Sequence, residues 1–321
     1  MLFLLSPSLH AITLRLCRSR HPELIDWAVR RVIVNADDFG LTRGVNRAVA
    51  ELHQNGVLTS TTLMARAAAT TEAIEQALTT PSMGVGCHVV LVDGEPVLPL
   101  RDIPTLVDHK TGQFHRTLGA FLRRALLGNV SPAEVEAEAA AQIALIQRHG
   151  LRLTHIDTHK HTHMFPAVLR PVLRAARAAG IRAVRNPFEP SWSRRATPDA
   201  PILRRIEVSL LRRLEPAFHR IVREEGFTTT NGALGVLATG TLDARTLWSL
   251  LNSVQPGTWE LITHPGYNDG DLELIRTRLK ESREKERGAL QEVGKLDGLD
   301  LIGFAQLAED ESVRPVNLTS K

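Results

Sequence analysis

Two rhythms alternate along this chain. Short β-branched or apolar runs mark strands, beginning with Arg31-Val-Ile-Val-Asn35, and residues spaced three and four apart mark helices, beginning with Val45, Ala48, Val49 and Leu52. Further strands are expected at Val57–Met64, Met83–Val90, Leu153–Asp157, Ile181–Arg185, weakly at Gly235–Ala238, and at Thr258–Thr263 and Leu299–Gly303. Helices are expected at Thr42–Gln54, Thr71–Leu78, His115–Leu127, Ser131–His149, Pro166–Ala179, Ile202–Glu225 with a kink at Pro216, and Asp243–Val254. Asp271–Leu290 reads as a charged surface helix. Gly56 and Gly180 close helices, and Ser131-Pro-Ala-Glu134 carries a cap, a first-turn proline and a third-position glutamate. The stretches Leu91–Gln113 and Pro187–Pro201 are too rich in proline and charge for either rhythm and read as irregular.

This succession of strand and helix implies an α/β fold with a mostly parallel sheet. Seven or eight strands suit an irregular, TIM-barrel-like (β/α) closure in a single domain, with an open doubly wound sheet as the alternative. Gly84-Val-Gly86 lacks a third glycine and sits inside a strand, so it makes a poor dinucleotide loop. The expected division is a poorly ordered leader at 1–30, the barrel domain at 31–308 with a basic insertion near 187–232, and a tail at 309–321.

Composition narrows the function. With 43% hydrophobic and 23% charged residues in 321, the chain is ordinary globular material. No apolar run approaches the ~20 residues of a membrane span. Aromatic residues make up only 4%, too few for a stacking platform, so nucleic acid is not expected as a partner. The two cysteines, Cys17 and Cys87, form neither a CxxC motif nor a disulfide framework, which fits a reducing, cytoplasmic location.

Four clusters carry the chemistry, and each follows an expected strand. Asn35-Ala-Asp37-Asp38-Phe-Gly40 places adjacent carboxylates at the first strand's end, where one could bind a metal while the other faces a water. His88 ends the third strand. His155-Ile-Asp157-Thr-His159-Lys-His161-Thr-His163 gathers four of the thirteen histidines, and if extended it points all five of these groups to one face. Imidazoles so close would repel one another when protonated, and metal binding is the usual reason to tolerate them. Thr263-His264-Pro-Gly-Tyr267 presents His264 on a turn. The carboxyl ends of barrel strands are where such folds place an active site. These residue types suit a metal hydrolase: a carboxylate and two imidazoles for a divalent ion, a second carboxylate as general base, a separate histidine as general acid.

Taken together, the motifs Val34-Asn-Ala-Asp-Asp-Phe-Gly40, Gly56-Val-Leu-Thr-Ser-Thr-Thr62, Gly86-Cys-His88, Thr154-His-Ile-Asp-Thr-His159 through Pro166, and His264-Pro265 resemble those of the YdjC-like carbohydrate deacetylases over roughly residues 31–308. The resemblance implies an irregular (β/α) barrel that removes acetyl groups from N-acetylated sugars with one divalent metal ion, Mg or Zn. Carried over by motif, Asp38, His88 and His159 would hold the metal, Asp37 would be the base and His264 the acid. Asp157, His161 and His163 would support these groups or touch substrate. Arg66 stands where the family often has Asn, and Lys160 where it often has His, which puts substrate choice in question.

The chain is longer than the members acting on chitooligosaccharides. Its excess is basic, with eight Arg against five Asp or Glu over residues 191–225 and an apolar stripe of Leu203, Ile206, Leu210, Leu214 and Ile221. Such a helix either packs as an ordinary barrel helix with a solvated Arg face or lies on an anionic membrane surface. The long, Arg-rich form resembles the subgroup associated with hopanoid biosynthesis, which implies an acetylated amino sugar on a lipid, such as an N-acetylglucosaminyl hopanoid, and a place at the periphery of the inner membrane. Rival expectations are deacetylation of soluble chitooligosaccharides, a metal-dependent phosphoesterase drawing on Lys160 and Arg66, and a non-enzymatic membrane module. Assembly into a homo-oligomer is a further expectation.

Overall fold

A computed structural model describes residues 29–293 and 298–309; Cys17, nearly all of the expected leader and all but one residue of the expected tail lie outside them. The β-branched runs become strands: β1 Arg30–Phe39, β2 Ser60–Leu63, β3 Gly84–Val89, the hairpin strands β4 Val107–Asp108 and β5 Gln113–Phe114, β6 Ile156–Thr158, β7 Ala183–Val184, β8 Thr228–Thr229, β9 Gly232–Leu234, β10 Gly257–Thr263 and β11 Asp300–Leu301. The helices are α1 Arg43–Gln54, α2 Thr70–Thr79, α3 Leu118–Leu126, α4 Pro132–Gln147, α5 Pro166–Ala178, α6 Ser191–Arg195, α7 Ile202–Leu211, α8 Glu215–Glu224, α9 Ala244–Asn252, α10 Gly270–Glu273, α11 Glu281–Val293 and α12 Phe304–Glu309.

Nine strands form one parallel sheet in the order β8-β7-β6-β3-β2-β1-β10-β9, with β11 beside the first half of β1 and β2 beside its second half. The sheet is curled into a half-barrel flanked by helices, the TIM-barrel-like α/β fold that the alternation implies. The curl stays open among the described residues: β8 and β9 do not pair, and the irregular segment after β7 lies against both, with Phe188 O accepting from Ala233 N at 3.1 Å and Asn186 Nδ2 donating to Thr230 O at 3.1 Å. Covered on both faces, the strands are apolar almost throughout, as parallel strands must be. Val32, Ile33 and Val34 are fully buried on β1; Val32 and Val34 share a core with Val45, Val49 and Leu52 of α1, and Ile33 packs on the other face with Ala183, Phe304 and Leu307.

Local signals hold where the chemistry is local. Thr42 caps α1 by accepting from Val45 N at 3.2 Å, and Ser131 caps α4 through Glu134 N at 3.4 Å. The long helical segment is interrupted just before Pro216: α7 runs to Leu211, a short 3₁₀ turn follows with right-handed backbone on either side, and α8 carries Pro216 in its first turn. The expected helix over Asp271–Leu290 is two, α10 and α11. The expectation of one extended face from His155 to His163 also gives way. β6 ends at Thr158, and Lys160 and His161 adopt φ of 56° and 53° inside a 3₁₀ turn, so the side chains beyond Asp157 leave in separate directions.

One glycine is required by packing. His155 is buried and stacked on Phe304 with ring centroids 3.8 Å apart, plugging the barrel interior. A Cβ on Gly86 would lie 2.5 Å from His155 Cε1. Gly86→Ala is therefore expected to destabilise the fold by about 1–3 kcal/mol, the usual range for overpacking, measurable by urea denaturation. Unchanged stability would mean that the His155–Phe304 stack can move aside.

Candidate metal centre

Most side chains of the site come from the carboxyl end of a sheet strand or just beyond it: Asp37 and Asp38 from β1, Thr62 from β2, His88 from β3, Asp157 from β6, His159 after it, Arg185 after β7 and His264 after β10; Glu260 comes from the middle of β10, and Arg283 and Glu286 from α11. Adjacent residues on a strand normally face opposite ways. Here the register between β1 and β2 shifts between Ala36 and Phe39, and Asp38 takes φ of 64°, a left-handed conformation that Asp tolerates. The bulge turns both carboxylates into the barrel mouth.

Three ligand atoms then converge. Asp38 Oδ1 lies 3.4 Å from His88 Nε2 and 3.3 Å from His159 Nδ1, and the two ring nitrogens are 3.2 Å apart. Asp38 Oδ1 is buried and has no hydrogen-bond donor, although Asp38 Oδ2 takes one from Arg283 Nη2 at 2.5 Å. A carboxylate oxygen without a donor, facing two imidazole nitrogens, is a cradle for a cation. The charges agree: Asp37, Asp38, Asp157 and Glu260 surround the site, against the guanidiniums of Arg185 and Arg283. Burial works to lower the His88 pKa, but Asp157, Asp38 and Asp37 outweigh it and lift the value to about 10. In the metal-free protein a proton sits where positive charge is wanted, and a divalent ion would displace it. The donor set fits one divalent ion, and a carboxylate with two imidazoles suits Zn as well as Mg or Mn.

Beneath the cradle lies a second layer. His88 Nδ1 is 2.8 Å from Asp157 Oδ1, the carboxylate–histidine arrangement that orients a ligating imidazole. Arg185 is fully buried. Its Nη2 and Nη1 donate to Asp37 Oδ1 and Oδ2 at 2.6 and 2.8 Å, its Nε donates to Glu260 Oε1 at 2.8 Å, and Nη1 also reaches Asp157. Burial alone would raise the Asp37 pKa, yet Arg185, with His88 and His264 adding to it, holds the group well below the usual carboxylate range. For Glu260 burial prevails over Arg185 and pushes the pKa up to about 7. His264 Nε2 stands 3.8 Å from Asp37 Oδ2, and burial lowers its pKa to about 4. Glu286 on α11 accepts from the His264 backbone N–H at 2.6 Å and keeps a carboxylate oxygen 3.9 Å from His264 Nδ1.

The two outer histidines of the cluster do not reach the cradle. His163 folds back, with Nδ1 2.7 Å from Thr158 Oγ1 and Nε2 3.2 Å from Arg185 O. His161 stands edge-on to His163 at 6.2 Å between ring centroids, and its buried Nδ1 has no partner. Lys160 pairs with Asp93 at 2.7 Å, and Arg66 with Glu95 at 3.2 Å, so neither cation is spare. Sequence reasoning missed Arg185, Glu260, Arg283 and Glu286. Arg185 had the same signal as the others, a charged residue closing an apolar strand; α11 gave none, since its charges read as a solvated face.

A model of the YdjC-like protein family matches residues 31–294. Over 146 residues the chain is 42% identical to the carbohydrate deacetylase of Brevibacillus brevis, a match covering 46% of this chain and 55% of that protein. It is 28% identical over 262 residues to the carbohydrate deacetylase of Thermoanaerobacter pseudethanolicus, covering 82% of this chain and 91% of that one. The chain thus spans about half the length of the first relative and nearly all of the second. A crystal structure from Enterococcus faecalis V583, of a protein named for cellobiose-phosphate cleavage, superposes with a TM-score of 0.70 at 27% identity, over 87% of this chain and 99% of that one.

Proposed function

Because the chain belongs to the YdjC-like protein family, we propose that it is a metal-dependent hydrolase that removes the acetyl group from an N-acetylated amino sugar. The observation that carries the reading is the triad of Asp38 Oδ1, His88 Nε2 and His159 Nδ1 with Asp37 and His264 beside it. Two relatives named carbohydrate deacetylases support the substrate class.

In this reading Asp38, His88 and His159 would hold the ion, which when bound acidifies a water and polarises the acetamide carbonyl. Asp157 fixes the tautomer and angle of His88 from behind. Asp37, kept ionised by Arg185, accepts the proton of the attacking water. His264 is neutral in the resting site, and the 3.8 Å between its Nε2 and Asp37 Oδ2 gives the route by which that proton reaches the departing amine. A phosphoesterase is disfavoured: Arg185 and Arg283 are neutralised by carboxylates, and Lys160 and Arg66 by Asp93 and Glu95, leaving none of these four to meet a phosphate. Among acetylated sugars, the long Arg-rich segment favours one carried on a lipid, such as the hopanoid conjugate of the resemblance, over a soluble chitooligosaccharide.

The test is acetate release by metal-stripped and metal-restored protein from N-acetylglucosamine conjugates with and without a lipid aglycone. Metal-dependent release from the lipid conjugate supports the full reading. Release from soluble oligomers alone keeps the deacetylase and removes the lipid; no acetate from either removes the activity. His88→Ala is expected to weaken metal binding by at least about 100-fold in isothermal titration with Zn²⁺, since it takes away one of three ligands. Unchanged affinity would remove His88 from the ligand set.

A further inference from the structure

Large apolar side chains left in water on this molecule are not scattered. Ten are exposed among the described residues, and eight of them lie on three of the connections that run from a strand's carboxyl end to the next returning helix. Leu100, Leu126 and Leu127 belong to the β3–α4 connection, and Leu274 to β10–α11. The remaining four form one face of α7 in the β7–α8 connection: Ile202, Leu203, Ile206 and Leu210, exposed at 77, 69, 58 and 55%. These connections surround the mouth that holds the Asp38–His88–His159 cradle.

The opposite face of α7 ties it to that mouth. Val208, its only buried residue, packs with Val236, Leu237 and Ile262, and Ile262 lies two residues before His264. Arg204 Nη2 donates to Val236 O at 3.1 Å. The apolar face of α7 is therefore held outward by the rest of the helix, at the rim of the site. Patches of this kind mark an interaction surface. Charge identifies the partner. Residues 194–215 carry six Arg against three acidic residues, and two of these Arg are engaged, Arg204 by Glu207 at 3.7 Å and Arg212 by Glu215 at 2.9 Å. Arg213 is exposed and lines one cleft with Ile202, Ile206 and Leu210, and Arg195 is exposed on α6, whose Arg194 donates to Ser209 of α7 at 2.7 Å. A second copy meeting this face across a two-fold axis would set arginines against arginines. A bilayer with anionic headgroups satisfies both halves of the surface, the apolar row entering the interface and the guanidiniums lying among phosphates.

We propose that α7 docks the protein mouth-down on an anionic membrane surface, so that the cradle opens toward the headgroup layer. The docking face stands on these residues alone. That the sugar arrives as the headgroup of a membrane amphiphile rests on the deacetylase reading.

The full chain should co-sediment with vesicles of phosphatidylcholine and phosphatidylglycerol, but weakly with phosphatidylcholine alone, and added salt should release it. The double variant Leu203→Glu with Ile206→Glu, and separately Arg195→Glu with Arg213→Glu, should each lower the partition coefficient about 10-fold or more. Both should keep wild-type melting curves and wild-type acetate release from a soluble N-acetylglucosamine conjugate, because these side chains touch nothing in the cradle. Absence of binding to the anionic vesicles, or variants that bind like the wild type, would overturn the proposal. So would a wild-type dimer that the apolar variant splits while vesicle binding is unchanged, since the face would then belong to a second copy. Vesicle binding with no acetate from any substrate would leave the docking face standing and remove the deacetylase reading.

Discussion

Asp37→Asn is expected to reduce kcat by roughly 10³-fold while the protein still binds one metal ion per chain; a positioned general base usually contributes ~10²–10⁴-fold. Asn keeps the shape of the side chain and an oxygen that can accept from Arg185, so the change removes basicity rather than architecture. The Asp38, His88 and His159 donors do not include Asp37, so metal content measured on the purified variant should match the wild type. KM should move little, because Asp37 is buried and faces the place of the reacting water. Wild-type turnover would remove Asp37 as the base. Loss of metal with loss of turnover would move Asp37 into the ligand set.

The second large effect concerns Arg185. Replacing it with Met leaves Asp37, Asp157 and Glu260 buried without the cation that all three contact. Breaking a buried ion pair from one side costs about 3–5 kcal/mol. For a domain of this size that is roughly 10 °C in Tm. Without Arg185, burial raises the carboxyl pKa values in the folded state above their unfolded values. Folding then binds more protons than unfolding, and stability falls as pH rises. The deficit should be largest near neutral pH and shrink as pH falls through about 4, where the carboxyls of the unfolded chain also begin to take up protons. Thermal melts of Arg185→Met and wild type across that range decide the matter. A variant as stable as the wild type at pH 7 would show that Arg185 does not hold the carboxylate layer. If the Met variant fails to fold, Arg185→Lys, which keeps the charge but not the forked geometry, should fold with Asp37 less firmly held. Glu260 and Glu286, each raised to about 7 by burial, act in the same direction in the wild type: their ionisation between the unfolded value and pH 7 costs stability as pH rises.

Much of this was legible from residue order, for a physical reason in each case. Strand runs and helix spacings record which side chains must leave water, and that requirement acts locally, so β1, α1 and the Ser131 cap stand close to where they were expected. The cradle was legible too, because Asp38, His88 and His159 sit in short motifs, each at or just beyond a strand's end. The fold brings them together simply because parallel strands share one carboxyl-terminal edge.

What residue order could not supply is which charges go inside. A lone charge belongs in water, so Arg283 and Glu286, in a helix full of Lys, Arg and Glu, read as solvated. They are buried because their partners arrive from far along the chain: Arg283 meets Asp38 across 245 residues, and Arg185 meets Asp37 across 148. Likewise the extended reading of His155–His163 failed at a turn set by Lys160 and His161, whose left-handed φ is held by the surrounding packing rather than by local preference. Patterning therefore determined the layers, the caps and the residue types at the barrel mouth, since burial of apolar surface is decided over a few neighbouring residues. The pairing of buried charges, the direction of each histidine and the outward face of α7 were decided by three-dimensional packing, since the energy of a charge depends on what surrounds it in space.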